Sequence, residues 1–87
     1  MTRLRRSNVD IIANILKVAK NGAKKTHIVY KANLNFKILK EYLDELVELN
    51  LISTDLDGNI KTTDKGIQYL NYYFGFKEFM DSPIFLQ

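Results

Sequence analysis

The sequence predicts a mainly α (α+β) fold, a winged helix-turn-helix carrying one further helix at its C-terminal end. Three observations predict it. A short helical segment is joined by a tight connection to a longer one, which is the helix-turn-helix pattern. A hairpin signal follows directly, where the period of the apolar residues changes. A fourth helical run then closes the chain.

The first helix is expected over residues 8–20. Ser7 is a good N-cap, and Asp10 lies near the positive helix end. Val9, Ile12, Leu16 and Ala19 share one face, and Asn21-Gly22 is a stop signal. A short helix over 25–32 follows, with Ile28 and Val29 apolar. Asn33-Leu34-Asn35 is the connection, and Asn35 can cap a third helix over 36–49. There Phe36, Leu39, Leu43 and Leu46 share a face, and Asn50 ends the helix. Residues 51–54 and 59–62 are short β-like runs around Asp55-Leu56-Asp57-Gly58, and Asp-Gly is a hairpin signal. Thr63 caps a fourth helix over 64–80, which Ser82-Pro83 stops.

A chain of 87 residues fits one domain. The expected division is a basic arm over 1–7, the helix-turn-helix and wing over 8–62, a C-terminal dimerisation helix over 63–81 and a tail over 82–87. A chain this small buries only about 60–65% of its unfolded surface, so its core is thin. It has no Cys to form a disulfide, which makes oligomerisation a natural way to add buried surface. An apolar content of 46% excludes general disorder. No apolar run approaches the roughly 18–20 residues of a membrane span, so no membrane partner is expected. The charged N-terminus has no apolar stretch after it and does not read as a signal peptide. The absence of Cys suits an intracellular chain.

Charge is unevenly distributed. Residues 1–40 hold ten bases and one acid, a balance of +9; residues 41–87 hold three bases and nine acids, a balance of −6. A dense positive half suggests a polyanion, most often nucleic acid; the plainer reading is a solvated basic face. In a helix-turn-helix the N-terminal part of the second helix enters the major groove. With Leu39 inward, Asn35, Lys37, Ile38, Lys40 and Glu41 are the candidates facing that groove. Lys37 and Lys40 suit phosphates or guanine edges, and Glu41 suits cytosine. Ile38 has two readings, a thymine-methyl contact or a core-edge residue. Lys24, Lys25, Thr26 and Lys31 are candidates for the DNA backbone. Among them, His27 reads either as a phosphate contact at low pH or as a half-exposed polar residue. Arg3, Arg5 and Arg6 form an arm that either follows the duplex or is solvated. Asp44, Glu45 and Glu48 would repel phosphate, which confines contact to the first two turns.

The acidic wing tip is unfavourable for a phosphate contact. Its Asp-x-Asp-Gly resembles part of a calcium loop, but Ser53 and Asp64 stand where such a loop wants Asp and a bidentate Glu. No metal and no cofactor are expected. There is no phosphate loop, metal cluster or nucleophile–base pair, so no enzyme activity is expected either.

The run Thr26-x-Ile28-Val29-Tyr30-x-Ala32-Asn33-Leu34-Asn35-Phe36, with Leu39, Tyr42, Leu43, Leu46 and Leu51-Ile52, is followed by Thr63-Asp64-Lys65-Gly66-x-x-Tyr69-Leu70. Over residues 8–74 this resembles the small archaeal winged-helix DNA-binding proteins of the ten-a type and related archaeal and viral regulators. The resemblance implies a homodimeric protein that binds double-stranded DNA in transcription regulation or as a chromatin-like component. It also implies a cytoplasmic, nucleoid-associated place and association through the last helix.

The residues support a dimer independently. Ile67, Leu70 and Phe74 form one apolar face of the fourth helix; Tyr69, Tyr72, Tyr73, Phe76, Phe79 and Met80 cluster on the other. One small domain cannot easily bury both. Ile11, Ile15 and Val18 form a matching seam on the first helix, and a C2 dimer is expected in which the fourth helix packs on its partner with the first helix assisting. The opposing reading is that Gly75 breaks the helix and the tail folds back over the stripe. The alternative function is a winged-helix protein-interaction module that does not bind DNA.

Overall fold

The structure, a computed structural model, describes residues 8–81. The Ser7 cap, the arm residues Arg3, Arg5 and Arg6, and the tail lie outside the described residues. The element order is α1 (Asn8–Val18), α2 (Lys25–Ala32), α3 (Phe36–Glu48), β1 (Ile52–Thr54), β2 (Ile60–Thr62) and α4 (Asp64–Met80). This is a winged helix, mostly helical, with one antiparallel hairpin.

α1 is the central helix. It packs against α2, β2 and α4, and Ile15 and Leu16 are completely buried. Its end is tightened by Gly22, whose φ of 98° turns the chain back toward the hairpin. Ala23 then pairs with Ile60, exchanging both backbone bonds at 2.9 and 2.8 Å. This extra rung ties the start of the helix-turn-helix to the wing.

α2 and α3 end in the same way. Asn33 adopts φ 56° and Asn50 adopts φ 63°, the left-handed conformation that Asn tolerates. Each is followed by a leucine whose N–H reaches back over the final turn, Leu34 to Val29 O at 3.0 Å and Leu51 to Leu46 O at 2.9 Å. These leucines turn toward the core, Leu51 fully and Leu34 partly. α3 is begun by Asn35, whose Oδ1 accepts from Ile38 N–H at 2.7 Å.

β1 and β2 pair in the register Ile52–Thr62, Ser53–Lys61 and Thr54–Ile60. The connecting loop is a turn closed by Gly58 N–H to Asp55 O at 3.1 Å, with Gly58 at φ 83°. Thr62 is buried, and its hydroxyl donates to Leu16 O at 2.7 Å.

α4 is anchored at its first turn. The Thr63 hydroxyl donates to Asn50 O at 2.7 Å and accepts from Gly66 N–H at 3.1 Å. Lys65 Nζ donates to Leu49 O at 2.9 Å, capping the acidic end of α3. Gly66 lies so close to Leu51 O and Thr62 that a side chain has no room. The Thr-Asp-Lys-Gly motif is therefore a clamp between the end of α3 and the start of α4.

Three assigned faces need correction. Val9 and Phe36, expected inside, are exposed because each lies at a helix start, beyond the reach of the core. On α4 the inward side is Gly66 and Leu70, with Ile67, Tyr69 and Tyr73 packed beside it. Phe74, expected inside, is exposed, since it lies one turn past the last core layer. The close approach at Gly66 rotates the helix so that Tyr69 and Tyr73 face α1.

Candidate nucleic-acid interface

The outer side of α3 follows from its inner one. Leu39, Leu43 and Leu46 are buried, and 100° per residue turns Lys37, Lys40 and Glu41 outward. All three are exposed, as are Lys25, Thr26 and Lys31 on α2. His27 is exposed among these bases. The helix-turn-helix thus brings the base-rich segments of α2 and the start of α3 into consecutive, packed elements.

Hydrogen bonds qualify three of the expected contacts. Asn35 uses its side-chain oxygen to cap α3, which turns the amide toward the helix start and away from a bidentate pairing with adenine. Lys40 Nζ pairs with Asp44 at 3.1 Å on the open surface, a weak i,i+4 pair. Lys24 Nζ donates to Asp57 O at 2.6 Å, which joins the start of α2 to the wing tip.

That tip is organised by one carboxylate. Asp55 Oδ1 accepts from the N–H groups of Asp57 and Asn59, both at 2.9 Å, and Oδ2 accepts from Asn59 Nδ2 at 3.1 Å. These bonds, first those from Asn59, hold its carboxyl below the usual range, and Lys24 adds a small favourable charge. Asp57 and a fully exposed Leu56 complete the tip.

The expected association surface divides. Ile11 and Ile15 are not on an open seam, because packing of α2, β2 and α4 around α1 takes both into the core. Val18 is partly buried against the same core. Tyr69 and Tyr73 are not on the outer side of α4 either. The Tyr69 hydroxyl donates to Val9 O at 3.1 Å and that of Tyr73 to Asp10 Oδ1 at 2.5 Å. The Asp10 carboxylate holds the Tyr73 phenol proton in place and pushes its pKa up to about 12. Tyr72, Phe76 and Phe79 are exposed, and their i, i+4, i+7 spacing makes one stripe. Met80 is half-buried.

Some exposed apolar residues escaped sequence reasoning. Tyr30 is 80% and Phe36 is 55% exposed, and Leu56 stands at the wing tip. Tyr30 was legible, being about 200° around α2 from Ile28. Among the described residues, no group of three or more His, Asp or Glu is placed to hold a metal ion. No helix of the described residues is long and apolar enough to cross a membrane.

Comparison with known proteins agrees with this architecture. The winged helix-turn-helix family profile matches residues 5–81. An uncharacterized protein of Methanocaldococcus jannaschii is 30% identical over 81 residues, covering 92% of this chain and 82% of its own. The crystal structure of Sso10a-2, a DNA-binding protein from Sulfolobus solfataricus, superposes with a TM-score of 0.75. It is 26% identical, with 87% of this chain and 83% of that chain covered. The chain therefore belongs to the winged helix-turn-helix family, among its small archaeal members.

Proposed function

We propose that this protein binds double-stranded DNA as a homodimer and acts in transcription regulation in the cytoplasm, on the nucleoid. The carrying observation is the outer side of α3: Lys37 and Glu41 stand exposed in its first two turns, beside the bases of α2, while the acids gather at its far end. In this reading Lys37, Ile38, Lys40 and Glu41 face the major groove, and Lys25, Thr26 and Lys31 hold phosphates. Lys24 contributes by fixing the wing, and Asn35 by capping α3. Arg3, Arg5 and Arg6 extend the contact along the backbone. The similarity to Sso10a-2, itself a DNA-binding protein, supports the same assignment.

The second copy packs on Tyr72, Phe76 and Phe79 of α4. Three exposed rings on one helix face mark an interaction surface. Charge at this end of the chain favours another copy over nucleic acid, since Glu78 and Asp81 accompany Lys77. Residues 8–62 then read DNA and residues 63–81 associate.

A salt series with a duplex of about 30 base pairs tests the DNA reading. Log K should fall against log salt with a slope of about −0.9 for each phosphate contacted. The double variant Lys37→Ala, Lys40→Ala should weaken binding at least tenfold with the fold unchanged by circular dichroism. Unaltered affinity would remove α3 as the reading helix. The second reading, a protein-interaction module, is favoured by the wing, where Leu56 stands fully exposed between two acids. An absence of binding at low salt would remove the first reading and favour the second.

A further inference from the structure

The first turn of α3 has an unusual chemical make-up for a helix that reads DNA. Two of its side chains are apolar and exposed, Phe36 at 55% and Ile38 at 38%. Exposed apolar groups at the far end of α3, Val47 and Leu49, sit among Glu45 and Glu48. Phe36 and Ile38 instead flank Lys37 and follow the bases of α2. A helical side chain leans toward the N-terminus of its helix, so the Phe36 ring covers the end of α3 that a major groove receives.

The polar groups in this turn are poor readers. The rigid forked readers of bases are a guanidinium or an amide, and α3 has no Arg, Asn or Gln within Phe36–Glu48. The amide just before it, Asn35, has its oxygen committed to Ile38 N–H. Lys40 is paired with Asp44. Lys37 and Glu41 remain, each a single-point contact. Rigid forked hydrogen bonds from α3 are thus lacking, and its exposed apolar side chains are the remaining source of base preference. The major-groove feature that an apolar side chain can distinguish is the C5-methyl group of thymine.

We propose that Phe36 and Ile38 read thymine methyl groups in the major groove, and that this apolar contact supplies base preference while the lysines supply affinity. The inference rests on the DNA-binding reading above and adds its sequence class, sites rich in thymine. It also resolves the two meanings of Ile38 in favour of the thymine contact.

The test compares two duplexes of about 24 base pairs, a little over two helical turns. One is alternating adenine–thymine; the other carries deoxyuridine at every thymine, which deletes the methyl group and keeps the base pair. Fluorescence anisotropy at one salt concentration measures both. The wild-type protein should bind the thymine duplex at least about fourfold more tightly, the ratio for burying a single methyl group, and more for each further methyl contacted. In the variant Phe36→Ala, Ile38→Ala that ratio should fall to about one, with the salt slope unchanged because the phosphate contacts remain. Both side chains are exposed and the Asn35 cap uses only the backbone of Ile38, so the variant should fold, as circular dichroism will show.

Equal wild-type affinity for the two duplexes would overturn the inference and leave DNA binding intact. A ratio that persists in the variant would overturn it too, placing the methyl effect in duplex shape. An absence of binding to either duplex at low salt would overturn the DNA-binding reading itself and this inference with it.

Discussion

Gly66 and Tyr73 show how single residues hold α4 to the rest of the molecule. Gly66 is needed for space, since an added Cβ would run into Leu51 O and lie 2.5 Å from the Thr62 methyl. Gly66→Ala should destabilise the protein by about 2 kcal/mol despite the better helix propensity of Ala, measured as a lower urea midpoint. A neutral result would mean that α4 can shift outward freely. Tyr73 joins α4 to α1 through Asp10. Its pKa is raised in the folded state, so the neutral phenol is the stabilised form. The bond contributes fully below the ordinary value near 10 and is lost as pH rises through about 12. Tyr73→Phe should cost about 1 kcal/mol near pH 8, a figure discounted for solvent screening. The gap between wild type and variant should close between pH 10 and 12 in thermal melts. A constant gap across that range would exclude the Asp10 bond as its source.

At the scale of elements, α3 depends on its caps. Asn35 starts it, and Asn50 with Leu51 ends it. Asn35→Ala removes the side-chain oxygen that accepts from the Ile38 amide, and should cost about 1 kcal/mol. It should also reduce DNA affinity, because the fraying turn is the one proposed to enter the groove. Guanidine denaturation and anisotropy on the same sample would reveal a cap without consequence for binding. The wing depends on Asp55 in the same manner. Asp55→Ala should leave global stability nearly unchanged but speed hydrogen exchange at the Asp57 and Asn59 amides. Unchanged exchange there would show that the turn is set by Gly58 alone.

At the scale of the whole molecule, basic and acidic halves meet in one fold, and a stripe of rings is left on α4. Placing charge on that stripe separates association from folding. Tyr72→Asp with Phe76→Asp should produce a folded monomer, because neither side chain contributes to the core. Sedimentation at micromolar concentration would detect it. A native-like dimer from this variant would exclude the stripe as the interface. Tyr69 and Tyr73 are unsuitable for the experiment, as their hydroxyls hold α1.

Element order, the helix-turn-helix and the wing are legible in the sequence, since each depends on local chemistry. Asn35 and Thr63 cap, Asp-Gly turns and leucines recur at helical spacing. The extra rung between Ala23 and Ile60 was not legible, because a single residue pair 37 positions apart carries no periodicity. The direction of each aromatic ring on α4 was not legible either. Apolar spacing offered two faces of similar merit, and the close contact at Gly66 and two hydroxyl partners on α1 chose between them. The seam of Ile11 and Ile15 was misplaced for the same reason, since a helix surrounded on several sides has no spare face. Local propensity thus determined which residues form each element. Tertiary packing alone decided which of those residues remain outside, and so which surfaces of this protein are available to a partner.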